Sequence, residues 1–156
     1  MFPKNKDHSY YMREAIREAR KALAEDEVPI GCIIVHKNEI IARAHNQREA
    51  LKDPTAHAEM IAITQASSAL ESWRLIDTTL YVTLEPCPMC AGALVLSRIP
   101  KLVYGAEDIK GGACTSHLNI PQYPKWNHKV EIIDKVLEME CGSLLSEFFQ
   151  KLREKK

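Results

Sequence analysis

The chain has 156 residues, 46% hydrophobic and 27% charged, which suits a single globular domain over residues 1–156 and excludes both a disordered chain and two comfortable domains. Its 21 Lys and Arg are matched by 21 Asp and Glu, so no global field draws in nucleic acid or membrane, and an anionic partner must be gripped locally. No run approaches the roughly 18 to 20 apolar residues of a membrane span. "MFPKNKDHSYYM" has no apolar signal core, and five cysteines, an odd number, fit a reducing compartment better than a disulfide framework; a cytoplasmic protein without membrane contact is expected.

From Ser9 to Ala24 the side chains Tyr11, Ala15, Ala19, Ala22 and Leu23 recur at helical spacing among Arg, Glu and Lys, which predicts a surface helix with one buried face. "VPIGCIIVHKNEIIARAHN" reads as two β-rich runs about a turn at Lys37 and Asn38, a hairpin with Asn46 just past its end. A helix follows from about His57 to Leu70, marked by Pro54, with Asp53 or Thr55 available as its cap. "TLYVTLEP" is a buried strand stopped by Pro86, "CPMCAGALVLSRI" a helix pattern opening on two cysteines, and "KLVYGA" another strand. Residues Glu107 to His128 read as irregular, with one short helix between Cys114 and Ile120. "KVEIID" is a last strand, and Leu137, Cys141, Leu144, Leu145, Phe148, Phe149 and Leu152 trace the stripe of a final amphipathic helix. The basic spots are the terminal "KLREKK" with Arg98, Lys101 and Lys110, which are ordinarily solvated surface.

Strands alternating with helices predict an α/β sandwich, one sheet covered on both faces. Sites in such sheets lie at strand carboxyl ends, where helices begin. Both conspicuous motifs, His57-x-Glu59 and Cys87-x-x-Cys90, fall at helix starts. Cysteines at i and i+3 there face the same way, and the free N–H groups of the first turn favour thiolate. A histidine from another helix start completes three ligands, leaving one position of a tetrahedral zinc open for water, which is the pattern of catalysis rather than structure. Glu59, offset by two residues, need not be a ligand and can move protons as a general acid and base. Taken alone, His57 would be a core or capping histidine and Glu59 a first-turn glutamate favoured by the helix dipole.

"HAE" followed by "PCPMC" resembles the signature of the zinc-dependent nucleoside deaminases. The blocks "EVPIGCIIV", "DPTAHAEM", "RLIDTTLYVTLEPCPMCAGAL", "SRI" and "NHKVEI", with the terminal "ECGSLLSEFF", are similar to the bacterial tRNA-specific adenosine deaminases. The resemblance implies a three-layer α/β/α sandwich of the cytidine-deaminase-like type, with one mixed sheet of about five strands. It further implies conversion of adenosine to inosine at the wobble position of a tRNA anticodon, by a homodimer carrying one zinc per chain. On that resemblance His57, Cys87 and Cys90 bind Zn2+ and Glu59 shuttles protons. Asn46 hydrogen-bonds the flipped base, Ala58 belongs to the substrate-binding set, and Asp108 matches an acidic position near the RNA ribose. One departure is visible: after "GGA" the family has a small glycine-containing turn, then serine and an apolar residue, whereas this chain reads Cys114, Thr115, Ser116, His117.

Three other readings stay open at this point. A Cys-x-x-Cys at a strand-to-helix junction also describes a thioredoxin-like redox site. The same residues suit a non-catalytic nucleic-acid-binding zinc module, and a deaminase of free nucleobase, nucleoside or nucleotide shares the zinc motif.

Overall fold

The computed structural model describes residues 6–155. Met1 to Asn5, the start of the stretch weighed as a signal peptide, and Lys156, the end of the basic run, lie outside the described residues. The elements are α1 His8–Ala24, β1 Gly31–His36, β2 Glu39–His45, α2 Arg48–Leu51, α3 Ala58–Leu70, β3 Thr78–Leu84, α4 Pro88–Leu96, β4 Lys101–Ala106, β5 Glu131–Ile133 and α5 Glu138–Glu154. The strands form one five-stranded sheet in the order β2-β1-β3-β4-β5. β1 runs antiparallel to β2 and β3, while β3, β4 and β5 are parallel. The mixed sheet with helices on both faces is the predicted one. Among the described residues no helix is long and apolar enough to cross a membrane.

Alternation along the strands divides the core. Ile33, Val35, Tyr81 and Val103 pack with Tyr11, Ile16 and Leu144 under α1 and α5. Their neighbours Cys32, Ile34, Leu80, Val82 and Leu102 pack with Ala62, Ala66, Ala91 and Leu94 under α3 and α4. Since successive strand side chains face opposite ways, each central strand is apolar on both sides, as the unbroken run "TLYV" requires. Lys37 and Asn38 have φ of 49° and 67°, the paired left-handed conformation of a two-residue hairpin turn that matches strand twist. Gly31 lets α1 lie directly on β1: a Cβ there would sit 2.0 Å from the Ala15 carbonyl oxygen.

Differences from the sequence reading are local. α2 is a four-residue helix too short to display a period. The expected helix between Cys114 and Ile120 is instead a single 3-10 turn at Ile120–Gln122, with Pro121 at its start, where a missing N–H costs nothing. The last strand keeps only Glu131–Ile133 of "KVEIID". Neither Asp53 nor Thr55 caps α3: His57 is the N-cap residue, and Asp53 instead closes the preceding turn by accepting from the Thr55 amide at 2.8 Å and hydroxyl at 2.7 Å.

Candidate active site

Two helix starts meet beyond the carboxyl end of β3. His57 caps α3 and Cys87 caps α4, both with extended backbone and neither with a side-chain capping bond. Their side chains are thereby released to face each other. The Cys87 and Cys90 sulfurs each lie 3.6 Å from His57 Nδ1, and the ligand atoms of all three residues lie within 4.8 Å of one another. With zinc–sulfur bonds of about 2.3 Å and zinc–nitrogen bonds of about 2.0 Å, a tetrahedral centre has a nitrogen–sulfur edge of roughly 3.6 Å. The donor set and its spacing therefore fit zinc, and among the described residues this is the one such group of His, Cys, Asp and Glu side chains. All five cysteines are free, and Cys32, Cys114 and Cys141 are buried apart from this trio.

The electrostatics of the corner follow from burial and from the contacts among these side chains. The Cys90 thiol hydrogen-bonds Cys87 and brings its thiol down to about 4 against the opposition of burial, with His57 adding to the fall. The same bond, with burial, pushes Cys90 far up. His57 is raised, chiefly by its contact with Cys87. Glu59 is 4% exposed, and burial, aided by the Cys87 charge, pushes its carboxyl up to about 7. A carboxyl near neutrality is well matched to taking and returning a proton.

A cleft of about 750 Å³ opens over this corner, and Asn46, His57 and Asp108 all line it. Ala58 does not: it is fully buried in the core beneath α3, as the first helical residue after His57. Asn46 is held by its backbone N–H, which donates to the Ile30 carbonyl at 3.1 Å. Asp108 Oδ1 accepts from the Lys110 and Gly111 amides at 3.1 and 3.0 Å, so this carboxylate shapes its own turn as well as facing the cleft. Of the two histidines in the irregular region, His117 is exposed, whereas His128 Nε2 pairs with the Ile99 carbonyl at 2.7 Å.

Sequence reasoning missed three residues here. Arg48 lines the cleft beside Asn46. Glu27, 2% exposed, accepts from the Glu49 and Ala50 amides at 3.1 and 2.7 Å and so fixes the segment carrying Arg48. Glu85, also 2% exposed, gathers the loop after β4. Its Oε2 accepts from the amides of Cys114, Thr115 and Ser116, and its Oε1 from the Asp108 amide and the Ser116 hydroxyl. Gly112 packs flat against it, since a Cβ there would lie 2.4 Å from the carboxyl carbon. The Cys114-Thr115-Ser116 departure is thus a turn whose successive amides converge on one carboxylate. The available signal was a charge closing the apolar strand "TLYVTLEP", because a carboxylate buried there must find donors.

The profile of the MafB19-like deaminases matches residues 6–153. A tRNA-specific adenosine deaminase of Bacillus subtilis (strain 168) is 57% identical over 94% of this chain and 91% of its own. This chain belongs to that deaminase family. A solved structure from a study of A-to-I editing by tRNA:A34 deaminases at the wobble position superposes with a TM-score of 0.84 at 43% identity, covering 88% of this chain and 99% of that one. A guanine deaminase structure from Bacillus subtilis matches less far, with a TM-score of 0.64 at 38% identity over 65% of this chain and 66% of its own. The cytidine-deaminase-like sandwich is therefore the fold of this deaminase as well as of its relatives, and the thioredoxin-like alternative falls away.

Proposed function

We propose that this deaminase converts adenosine to inosine at the wobble position of a tRNA anticodon, acting in the cytoplasm as a homodimer with one zinc ion per chain. The observation that carries the reading is the His57, Cys87 and Cys90 trio, with ligand atoms within 4.8 Å of one another, beside a cleft of about 750 Å³ lined by Asn46 and Asp108. The names of the relatives supply the substrate class.

His57 Nδ1 and the sulfurs of Cys87 and Cys90 would hold the zinc, which when bound would supply Lewis acidity that brings a water's pKa toward neutrality. Glu59 takes a proton from the attacking water. The water oxygen bonds to C6 of the purine as that proton passes to N1, and Glu59 then carries the new hydroxyl's proton to the exocyclic nitrogen as the carbon–nitrogen bond breaks, giving inosine and ammonia. Asn46, on the cleft, holds the edge of the flipped base. Asp108, also on the cleft, accepts from a ribose 2′-hydroxyl, a contact that distinguishes RNA from DNA. A base already splayed from a loop costs less unstacking free energy than one in a duplex, which favours an anticodon loop.

The test compares turnover of an anticodon stem-loop carrying wobble adenosine, its DNA counterpart, free adenosine and free cytidine. The stem-loop should be deaminated far faster than the others. Equal or faster turnover of a free nucleoside overturns the tRNA assignment in favour of a small-molecule deaminase. The dimer is supported by the family resemblance and by Leu96, 72% exposed, with Tyr123 and Trp126 also exposed; sedimentation showing a fully active monomer at micromolar concentration refutes it.

A further inference from the structure

We infer that Glu85 is a positioning residue for the reaction: its buried carboxylate sets the loop wall that receives the RNA, one residue away from the turn that carries Cys87. The inference rests on the reading of the cleft as an RNA site. Residues 107–111 form one side of that cleft, yet they belong to no strand or long helix that would hold them. What holds them converges on one side chain. Glu85 accepts from Asp108, before the bend, at 3.1 Å, and from Cys114, Thr115 and Ser116, after it, at 3.1, 2.9 and 2.9 Å. Both flanks of the loop are thereby pinned to a single rigid group at the end of β3.

The backbone beside Glu85 reinforces the pin. The Glu85 amide donates to the Ala106 carbonyl at 2.8 Å, and the Ala113 amide donates to the Pro86 carbonyl at 2.9 Å. Pro86 leads directly into Cys87, so the loop that lines the cleft and the turn that carries two metal ligands share one support. Hydrogen bonds to an ionised acceptor are about twice as strong as neutral ones, so removing the charge at Glu85 loosens both flanks of the loop at once. A role in placing the loop, without contact to the base, predicts weaker RNA binding with the chemical step intact.

The experiment uses Glu85→Gln and the milder Ser116→Ala, which removes the one side-chain donor from an exposed position and leaves the backbone bonds in place. Exchange of the Asp108, Cys114, Thr115 and Ser116 amides with solvent deuterium should be slow in the wild type and at least tenfold faster in Glu85→Gln, with β1 and β3 unchanged. KM for the anticodon stem-loop should rise about tenfold, the size of one lost charge-assisted hydrogen bond, while kcat stays within about threefold. Affinity for a product stem-loop carrying inosine should fall in parallel. Ser116→Ala should shift the same quantities in the same direction by less, and carries the test if Glu85→Gln does not fold. Unchanged loop exchange overturns the positioning role whatever the substrate, as does a kcat loss with KM unaltered. A wild type that ignores the stem-loop defeats the RNA reading instead, and the exchange result separates the two failures.

Discussion

At Glu59 two consequences of burial coincide. The side chain is 4% exposed, and its first-turn position on α3 turns it inward beside Cys90 while His57 faces the sulfurs. Glu59→Gln is nearly the same shape but cannot accept and return a proton. It should keep zinc content, fold and RNA affinity while turnover falls by about 10²- to 10⁴-fold; turnover within tenfold of the wild type would remove Glu59 from the shuttle. Glu85 gives a prediction in pH. Burial alone raises its carboxyl, but the hydrogen bonds of Ser116, Thr115 and Asp108 outweigh burial and hold it below the ordinary value of 4.5. A carboxyl lowered on folding contributes stability that is present above its unfolded value and is lost as pH falls through the folded one. Urea unfolding should therefore find the wild type more stable than Glu85→Gln at pH 7, with the gap closing in acid; a gap that widens as pH falls contradicts the assignment.

Between elements, α1 lies on β1 with no room for a side chain at Gly31. A methyl at residue 31 would lie 2.0 Å from the Ala15 carbonyl oxygen and 2.4 Å from the Ala19 amide nitrogen, both backbone atoms that cannot turn aside. Gly31→Ala should cost about 1–3 kcal/mol or more by overpacking, read as a lower urea midpoint with unchanged slope. The long elements were legible because apolar residues recur with period 2 or 3.6 over enough turns to declare themselves. α2, with four residues, and the region between β4 and β5 have no such period. Their shape is dictated by Glu27 and Glu85, which bind backbone amides of distant segments, and amides are carried by nearly every residue type. The site was legible to the same degree. His57, Cys87 and Cys90 stand out because few residue types ligate metal, and Glu59 because of its place beside them. Asn46 and Asp108 were reached through family resemblance, and Arg48 was missed since one arginine among 21 basic residues has no distinguishing neighbour in sequence.

For the molecule as a whole, a metal held by His57, Cys87 and Cys90 would tie together the starts of α3 and α4, helices that otherwise pack on the sheet side by side. Chelation should abolish turnover and lower the melting temperature, and added zinc should restore both. At a metal concentration a hundred times its dissociation constant the stabilisation lost is about 2.7 kcal/mol, a shift of roughly 5–11 °C for a domain of this size. A chelated protein that melts at the wild-type temperature would show that the helices meet without the ion's help.

The pins on the cleft loop reach it almost wholly through main-chain amides, and Ile109, between them, is 78% exposed. Such bonds are indifferent to side-chain identity, with proline the exception because it lacks the N–H. The geometry of this rim is thus inherited separately from its chemistry. Exposed positions such as 109 and 110 can be rewritten, by selection or by a protein engineer, to favour other RNA neighbours while the rim keeps its form, whereas a proline at 114, 115 or 116 would undo it.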